Sequence, residues 1–400
     1  MEKKRKNVLI ISHYFWPEDF KINELALGLT KYYNISILTG YPSYPNKGVF
    51  KNFRHTKYKN IEIYRVPVLK RNLTNFSILL NYLSFLIFLP FYGLYLLRGK
   101  SFDFIFVYQP SPITVGLSGI LIKYFKKCKM AIWVNDLWPD TLDYIKPKIF
   151  RYLKFIFKHI TDLIYKHSDY ILIQSMGFKK YIKNKKYKKK LIFFPNWIDT
   201  TKYKKIQINK KNKLILNNKI FKIMYIGNIG YSQEFDRIIK FIKLLKIQKI
   251  LVNFIIIGDG RNKKYVKKIV EDSGLQNYVY FFGRIKKKFI KNYSDYADIL
   301  FMSLKQNKLF DSTIPAKLQT YLSLQKPIFA LNSGETEKII SDLQCGLSAN
   351  NKNYNKVFRN ITKFVRNKKL LNKFYKNRKE KKYNRFFFER IVTDLKILIG

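Results

Sequence analysis

Short runs of Val, Ile, Leu and Phe that close on Gly, Ser, Asn or Pro recur along the whole chain, with helix-length segments between them. A run of that kind reads as a strand buried on both faces, and the segment after it as a crossover helix, so the chain is confined to doubly wound α/β designs. One series places strands at residues 6–12, 34–39, 61–66, 104–108, 130–134, 170–174 and 191–194, with a helix over 22–32 after the first. A second series begins at 221. Its strands fall at 221–226, 252–257, 279–282, 299–303 and 327–330, and its helices at 233–247, 263–273, 285–296, 316–324 and from 335. The polar stretch 196–219 between the series reads as a linker. The expected fold is therefore α/β with two tandem Rossmann-like domains facing each other across a cleft, each presenting its strand ends to that cleft. The boundaries are 1–198, 199–383 and a terminal helix over 384–400.

Charge narrows the partners less than its size suggests. Lys and Arg number 78 against 26 Asp and Glu, a net +52 spread without a distinct basic tail. Nucleic acid and an anionic membrane surface are the electrostatic partners of such a chain. The excess Lys, however, comes with excess Asn, Ile, Tyr and Phe, which AT-rich coding also produces. No nucleic-acid-binding module and no basic stripe with interleaved aromatics is present, so nucleic acid is not expected. Cys128, Cys345 and four histidines make neither a disulfide framework nor a zinc site. The opening MEKKRKNVLIIS has too short an apolar core for a signal peptide, and a cytoplasmic protein is expected.

Residues 76–97 complicate that location. FSILLNYLSFLIFLPFYGLYLL carries no charge and is flanked by Lys70, Arg71, Arg98 and Lys100. Its length permits a membrane span, a pair of buried core helices, or a helical hairpin dipping into the membrane interface. Asn81, Pro90 and Gly93 favour the hairpin, with basic flanks on anionic headgroups.

Chemistry is expected where strands end. In the second series Gly227 and Gly230, Gly258 and Gly260, and Gly283 followed by Arg284 close three successive strands. Glycine lets backbone approach a ligand, and the following helix N-terminus aims N–H groups at phosphate. The spacing fits neither a dinucleotide fingerprint nor a P-loop. Lys305, Ser312, Thr313, Lys317 and Thr320 crowd one loop and a helix start, where hydroxyls and an ammonium suit phosphate oxygens. In the first series His13, Glu18 and Asp19 follow the first strand, and a histidine there suits proton acceptance or a hydrogen bond to a sugar hydroxyl, since the unperturbed imidazole titrates near neutrality. Asp136 and Asp140 sit in a Trp–x–x–Asp–x–Trp–Pro–Asp cluster at the end of the strand at 130–134. Asp136 is open to two readings, a cleft-facing carboxylate or the cap of a helix with Pro139 in its first turn.

Eight ordered blocks, HYFWPEDFKINELALGL, FVYQPSPITVGL, WVNDLWPD, FPNWID, GNIGYSQEFD, IIGDGR, FFGR and TIPAKLQTYLSLQKPI, together resemble glycosyltransferase family four, of GT-B architecture, and more closely its WbuB-type branch of surface-polysaccharide sugar transferases. The resemblance runs from about residue 8 to 350, and NRFFFERIVTDLKIL resembles the helix that crosses back to the first domain in such folds. It implies a retaining transferase that moves a sugar, N-acetylfucosamine or a related amino or deoxy sugar, from a UDP-sugar to a polyprenyl-diphosphate-linked acceptor. The implied donor contacts are Gly227, Asn228, Gly230, Gly258, Gly260, Arg284, Lys305, Ser312, Thr313, Lys317 and Thr320. His13, Glu18 and Asp136 lie on the acceptor side. Asn135 stands where many relatives have His. Asn228 and Gln233 replace an Arg and a Lys, and Ser312 and Thr320 replace two Glu, so cationic help falls to Lys317, Arg284 and Lys305. No Asp-x-Asp occurs, which implies neither metal nor other cofactor. A lipid-borne acceptor implies peripheral contact with the inner face of the cytoplasmic membrane through 76–97. A UDP-sugar 2-epimerase of the same fold is the rival enzyme, and a basic nucleic-acid-binding protein the rival binding module.

Overall fold

The computed structural model describes residues 5–42, 54–69, 75–144, 152, 154–182, 187, 190–198, 203–350, 354–376 and 381–400. The chain divides into two compact units, Met1–Pro195 with Ile391–Gly400, and Asn196–Arg390.

The first unit is built on strands β1 Asn7–Ser12, β2 Asn34–Gly40, β3 His55–Tyr58, β4 Ile61–Val66, β5 Phe104–Gln109, β6 Lys129–Val134, β7 Tyr170–Ile173 and β8 Leu191–Phe193, with helices α1 Lys21–Leu29, α2 Asn75–Leu96, α3 Val115–Lys126 and α4 Lys154–His167. Sheet order is β3-β4-β2-β1-β5-β6-β7-β8, parallel except for β3. Every residue of β5 (FIFVYQ) is buried, as a strand covered on both faces requires. The antiparallel β3 is not among the sequence-derived strands because HTKY lacks an apolar run and pairs only at the sheet edge.

Register places Ile11, Leu38 and Val107 on one face of this sheet, and both α2 and α3 pack there. A Cβ at Gly93 of α2 would stand 2.7 Å from Leu38 Cδ2, and one at Gly119 of α3 the same 2.7 Å from Val107 Cγ2. The uncharged segment is thus one continuous helix of 22 residues and not a hairpin. Pro90 lies within α2, and Asn81 is fully buried, its Oδ1 3.0 Å from His13 Nε2. Of the residues that argued for a break, Gly93 lies against Leu38 of the sheet and Asn81 bonds to His13, just past β1.

The second unit holds β9 Phe221–Ile226, β10 Val252–Ile257, β11 Val279–Gly283, β12 Ile299–Ser303, β13 Ile328–Leu331 and β14 Gly346–Ser348, all parallel, in the order β11-β10-β9-β12-β13-β14. Its helices are α5 Lys210–Asn217, α6 Phe235–Ile247, α7 Lys263–Asp272, α8 Ile290–Ser294, α9 Lys308–Asp311, α10 Ala316–Ser323, α11 Glu335–Asp342, α12 Tyr354–Arg366 and α13 Asn372–Lys376, and α14 Phe388–Ile399 follows at the end of the chain. The expected structureless linker contains α5, capped by Asn209, whose side chain accepts from Asn212 N–H. The single helix expected over 285–296 is a turn of 3-10 helix and the short α8.

The C-terminal residues 391–400 belong with the first unit. Lys6 Nζ donates to Ile399 O at 3.0 Å, and Lys396 Nζ lies 3.7 Å from the Tyr32 ring centroid.

Candidate active site

In the second unit the turns after β9, β10 and β11 are laced together. Gly227 N–H donates to Ile257 O (2.9 Å), Ile229 N–H to Asp259 O (2.8 Å) and Gly258 N–H to Gly283 O (2.8 Å). Gly230 N–H donates to Gln233 Oε1 (2.9 Å) and Gly260 N–H to Asp259 Oδ1 (2.9 Å). The hydrogen bonds of these glycine amides are made within the protein. Glycine is required for close packing. A Cβ at Gly258 would stand 1.9 Å from Gly227 O, and one at Gly260 would stand 2.2 Å from Ile229 O. The three turns form a rigid shelf.

The opening beside the shelf lies where strand order reverses. β9 and β12 pair only at Ile299–Ile223 and Leu300–Met224, with no pairing beyond. Such a switch point at the carboxyl ends of strands is where open α/β sheets bind ligands. Tyr321 of α10 bridges the two strands there: its hydroxyl accepts from Ile226 N–H at 2.8 Å and donates to Phe301 O at 3.0 Å. One turn earlier, Lys317 donates to Tyr225 Oη, and its Nζ lies 3.8 Å from the Tyr225 ring centroid. Tyr225 Oη in turn donates to Asn228 O at 2.6 Å. Gly227 makes room for the lysine, since a Cβ there would come within 2.7 Å of Lys317 Cε.

A crevice of about 410 Å³ opens at this point, with Gly227, Asn228, Gln233, Ser303, Lys317 and Thr320 among its polar lining. Ile290 and Met302 give it an apolar wall. Although Lys317 as a residue keeps some exposure, burial around its ammonium pulls the pKa from the ordinary lysine range down to about 7. The lowered pKa follows from desolvation of an ammonium at a strand-order switch point.

Other expected donor residues fall elsewhere. Ser312 Oγ donates to Lys308 O (2.7 Å) and Thr313 Oγ1 to Leu309 O (2.9 Å), so both hydroxyls turn back onto α9. The start of α10 is set by Pro315, not by Ser or Thr. Thr320 lines the crevice, with Oγ1 3.4 Å from Ala316 O. Arg284 is exposed, and its charge acts on Asp259. Lys305 is exposed too; its backbone N–H donates to Ser232 O at 2.8 Å. Two residues passed over in the sequence belong here. Ser303, at the end of β12, has a fully buried hydroxyl without a hydrogen-bond partner, and Tyr321 holds the crevice floor. Ser303 was visible only as a hydroxyl closing a strand; Tyr321, inside an amphipathic helix, left no signal.

In the first unit, Asp136 follows β6. It caps no helix: the next element is a 3-10 turn over Asp140–Tyr144, and among the described residues Asp136 has no hydrogen-bond or ion-pair partner. Burial around its carboxylate raises the pKa to about 7. Asp140 Oδ1 lies 3.1 Å from Lys154 Nζ. His13 is buried between Asn81 and the ring of Phe85, 4.0 Å away by centroid. Glu18 is buried as well; its charge supports that of Arg65, which burial otherwise pulls down, and Arg65 donates to Trp16 O at 2.8 Å. His13 and Glu18 thus anchor the loop after β1, and Asp136 is the acid left with an open carboxylate.

Two parallel-sheet units of this kind define the GT-B architecture, which the solved structures share. Sucrose-phosphate synthase from Thermosynechococcus elongatus superposes with a TM-score of 0.74 at 12% identity, covering 98% of both chains. Anabaena HepE in complex with UDP gives 0.69 at 12% identity over 98% of this chain and 99% of that one, and WaaG, a glycosyltransferase of lipopolysaccharide biosynthesis, gives 0.66 at 12% identity over 98% and 99%. Within that fold, residues 206–381 match the family profile of glycosyl transferases group 1. A glycosyl transferase named for colanic acid biosynthesis, WcaI of Escherichia coli, is 32% identical over 97 residues, a stretch that spans 23% of this chain and 23% of that relative.

Proposed function

We propose that this chain is a retaining glycosyltransferase of surface-polysaccharide assembly, with a UDP-sugar as donor and a lipid-linked sugar as acceptor. The observation that carries the reading is Lys317, whose buried ammonium stands over Tyr225 beside Gly227 within a group 1 glycosyl transferase domain. HepE was solved with UDP in the same fold, which supports a uridine diphosphate here.

In this reading Lys317 turns from Tyr225 Oη to the diphosphate, with the Ser303 hydroxyl and the N-terminus of α10 as further donors. Negative charge develops on the leaving oxygen as its bond to the sugar anomeric carbon breaks, and a buried ammonium stabilises that charge most at that moment. The acceptor hydroxyl attacks from the same face. Asp136 orients it, and its proton passes to the leaving diphosphate oxygen. UDP and the extended glycolipid result. The donor sugar assigned is an amino or deoxy hexose of the N-acetylfucosamine kind, and the acceptor a polyprenyl-diphosphate sugar at the cytoplasmic face of the membrane.

Isothermal titration with UDP tests the donor site. Wild type should bind, and Lys317→Met should weaken binding by about 10- to 100-fold, the worth of a charge-assisted hydrogen bond. UDP binding unaffected by Lys317→Met would remove the basis of the proposal.

A further inference from the structure

The helices on one face of the first unit's sheet are apolar on the side that should meet water. On α2, Leu83, Ile87, Phe91 and Tyr95 recur every fourth residue and are 44%, 57%, 71% and 53% exposed, with Phe88 beside them. On α3 the outward positions include Leu117, Ile120, Leu121 and Tyr124, the last 77% exposed. α2 and α3 pack side by side, and α4 next to them exposes Phe155 and Ile156. A surface helix of a water-soluble domain turns such positions to Lys, Glu or Gln, and apolar patches of this breadth mark a site of interaction.

The charges around this plane are predominantly basic, Asp103, Asp162 and Asp169 being the acids at its edge. Neither α2 nor α3 contains an acidic residue. Arg98, Lys100 and Lys127 are exposed where the two helices end, and Lys158 and Lys166 are exposed on α4. A second copy of the chain would bring the same cations into apposition, a repulsive pairing. An apolar plane rimmed by cations fits an anionic bilayer, with side chains among the acyl chains and ammonium groups at headgroup level.

Packing decides how the contact is made. The opposite side of α2, with Asn81, Phe85 and Leu89 at most 1% exposed, lies against the sheet. Crossing a bilayer would strip that side from the core, so the helix can lie in the interface and cannot span it.

We propose that the outward faces of α2 and α3, extended by α4, form one membrane-docking plane for anionic phospholipid. It adds α3 and α4 to the lipid contact implied for residues 76–97. It also moves the contact off Phe85, which belongs to the core, and onto Ile87, Phe88 and Phe91. Asn81 ties α2 to His13 at the end of β1, so the plane borders the rim to which the acceptor is assigned. Docking itself is independent of the donor-site reading.

The test is cosedimentation of the full chain with vesicles of phosphatidylethanolamine and phosphatidylglycerol, at low and at raised salt. Wild type should stay bound at raised salt through its apolar contacts. Ile87→Asp with Phe91→Asp on α2, and separately Leu121→Asp with Tyr124→Asp on α3, should each lower the partition by about tenfold or more. Lys240→Gln with Lys243→Gln on α6 should leave it unchanged. UDP titration of the same variants verifies folding, and it fails independently if the donor site is misassigned. Binding abolished by salt, or α3 variants that sediment as wild type does, would overturn the plane. So would a concentration-dependent dimer in sedimentation velocity that the aspartates abolish while wild type ignores vesicles.

Discussion

The two units share a parallel-sheet design and use it in opposite ways. At its strand ends the first unit buries a carboxylate and the second an ammonium, and burial drives both toward neutrality: Asp136 upward and Lys317 downward, each to about 7. Desolvation always disfavours the charged form, so one cause gives shifts of opposite direction. The helical layers diverge as well. α6 and α7 turn Lys240, Lys243, Lys264 and Lys267 to water, whereas α2 and α3 turn out Ile87, Phe91, Leu121 and Tyr124. Two units folded by the same rules thus come to differ in what their rims hold and in what their outer helices meet.

The comparison is broken most directly at the two rims. Asp136→Asn should lower transfer to a polyprenyl-diphosphate sugar by about 10² or more while UDP affinity stays at the wild-type value, because the amide orients an acceptor hydroxyl poorly and touches no donor. Equal losses in affinity and turnover would place Asp136 on the donor side. Gly258→Ala comes next. Its Cβ would press on Gly227 O, and urea denaturation should register about 1–3 kcal/mol lost. Gly99→Ala, at φ 72° in open space, should lose no more than about 1 kcal/mol.

The paired shifts also make a pH prediction. Asp136 must be ionised and Lys317 protonated, so kcat/KM should trace a bell centred near pH 7, falling up to about tenfold per unit on either side. For stability the signs are separate. The raised carboxyl makes the folded state less stable as pH climbs from about 4 to 7, and the lowered ammonium makes it more stable as pH climbs from about 7 to 10. Asp136→Asn should remove the acid limb and leave the alkaline one. The smallest effect is expected on the outer layers, where Ile87→Lys and Lys243→Ile should each move unfolding free energy by about 0.5 kcal/mol or less. A cost above about 2 kcal/mol at Ile87 would mean that its side chain packs and does not face out.

Strand and helix positions were legible because buried parallel strands need continuous apolar runs and their crossovers a helical period. Ile61–Val66 and Ile299–Ser303 lie where the runs place them. Local signals fell short where tertiary contacts compensate for unfavourable residues. Pro90, Gly93 and Asn81 suggest a break, yet α2 runs through all three, with Gly93 received by the sheet at Leu38 and Asn81 by His13. HTKY became a strand only because β4 offered it an edge. Position at a helix start and at a strand end drew attention to Lys317 and Asp136, but no sequence signal separated Ser303 or Tyr321 from their neighbours.

The amino-acid order by itself determined the two α/β series, the glycine turns at the strand ends and the uncharged run at 76–97, since each follows from short-range sterics and hydrophobic periodicity. Tertiary structure alone decided which lysine of so many is desolvated, which glycine amides are already bonded, and which phenylalanines of α2 face the core and which face out. Those outcomes depend on burial, and burial is set by residues distant in sequence that meet only in the folded chain.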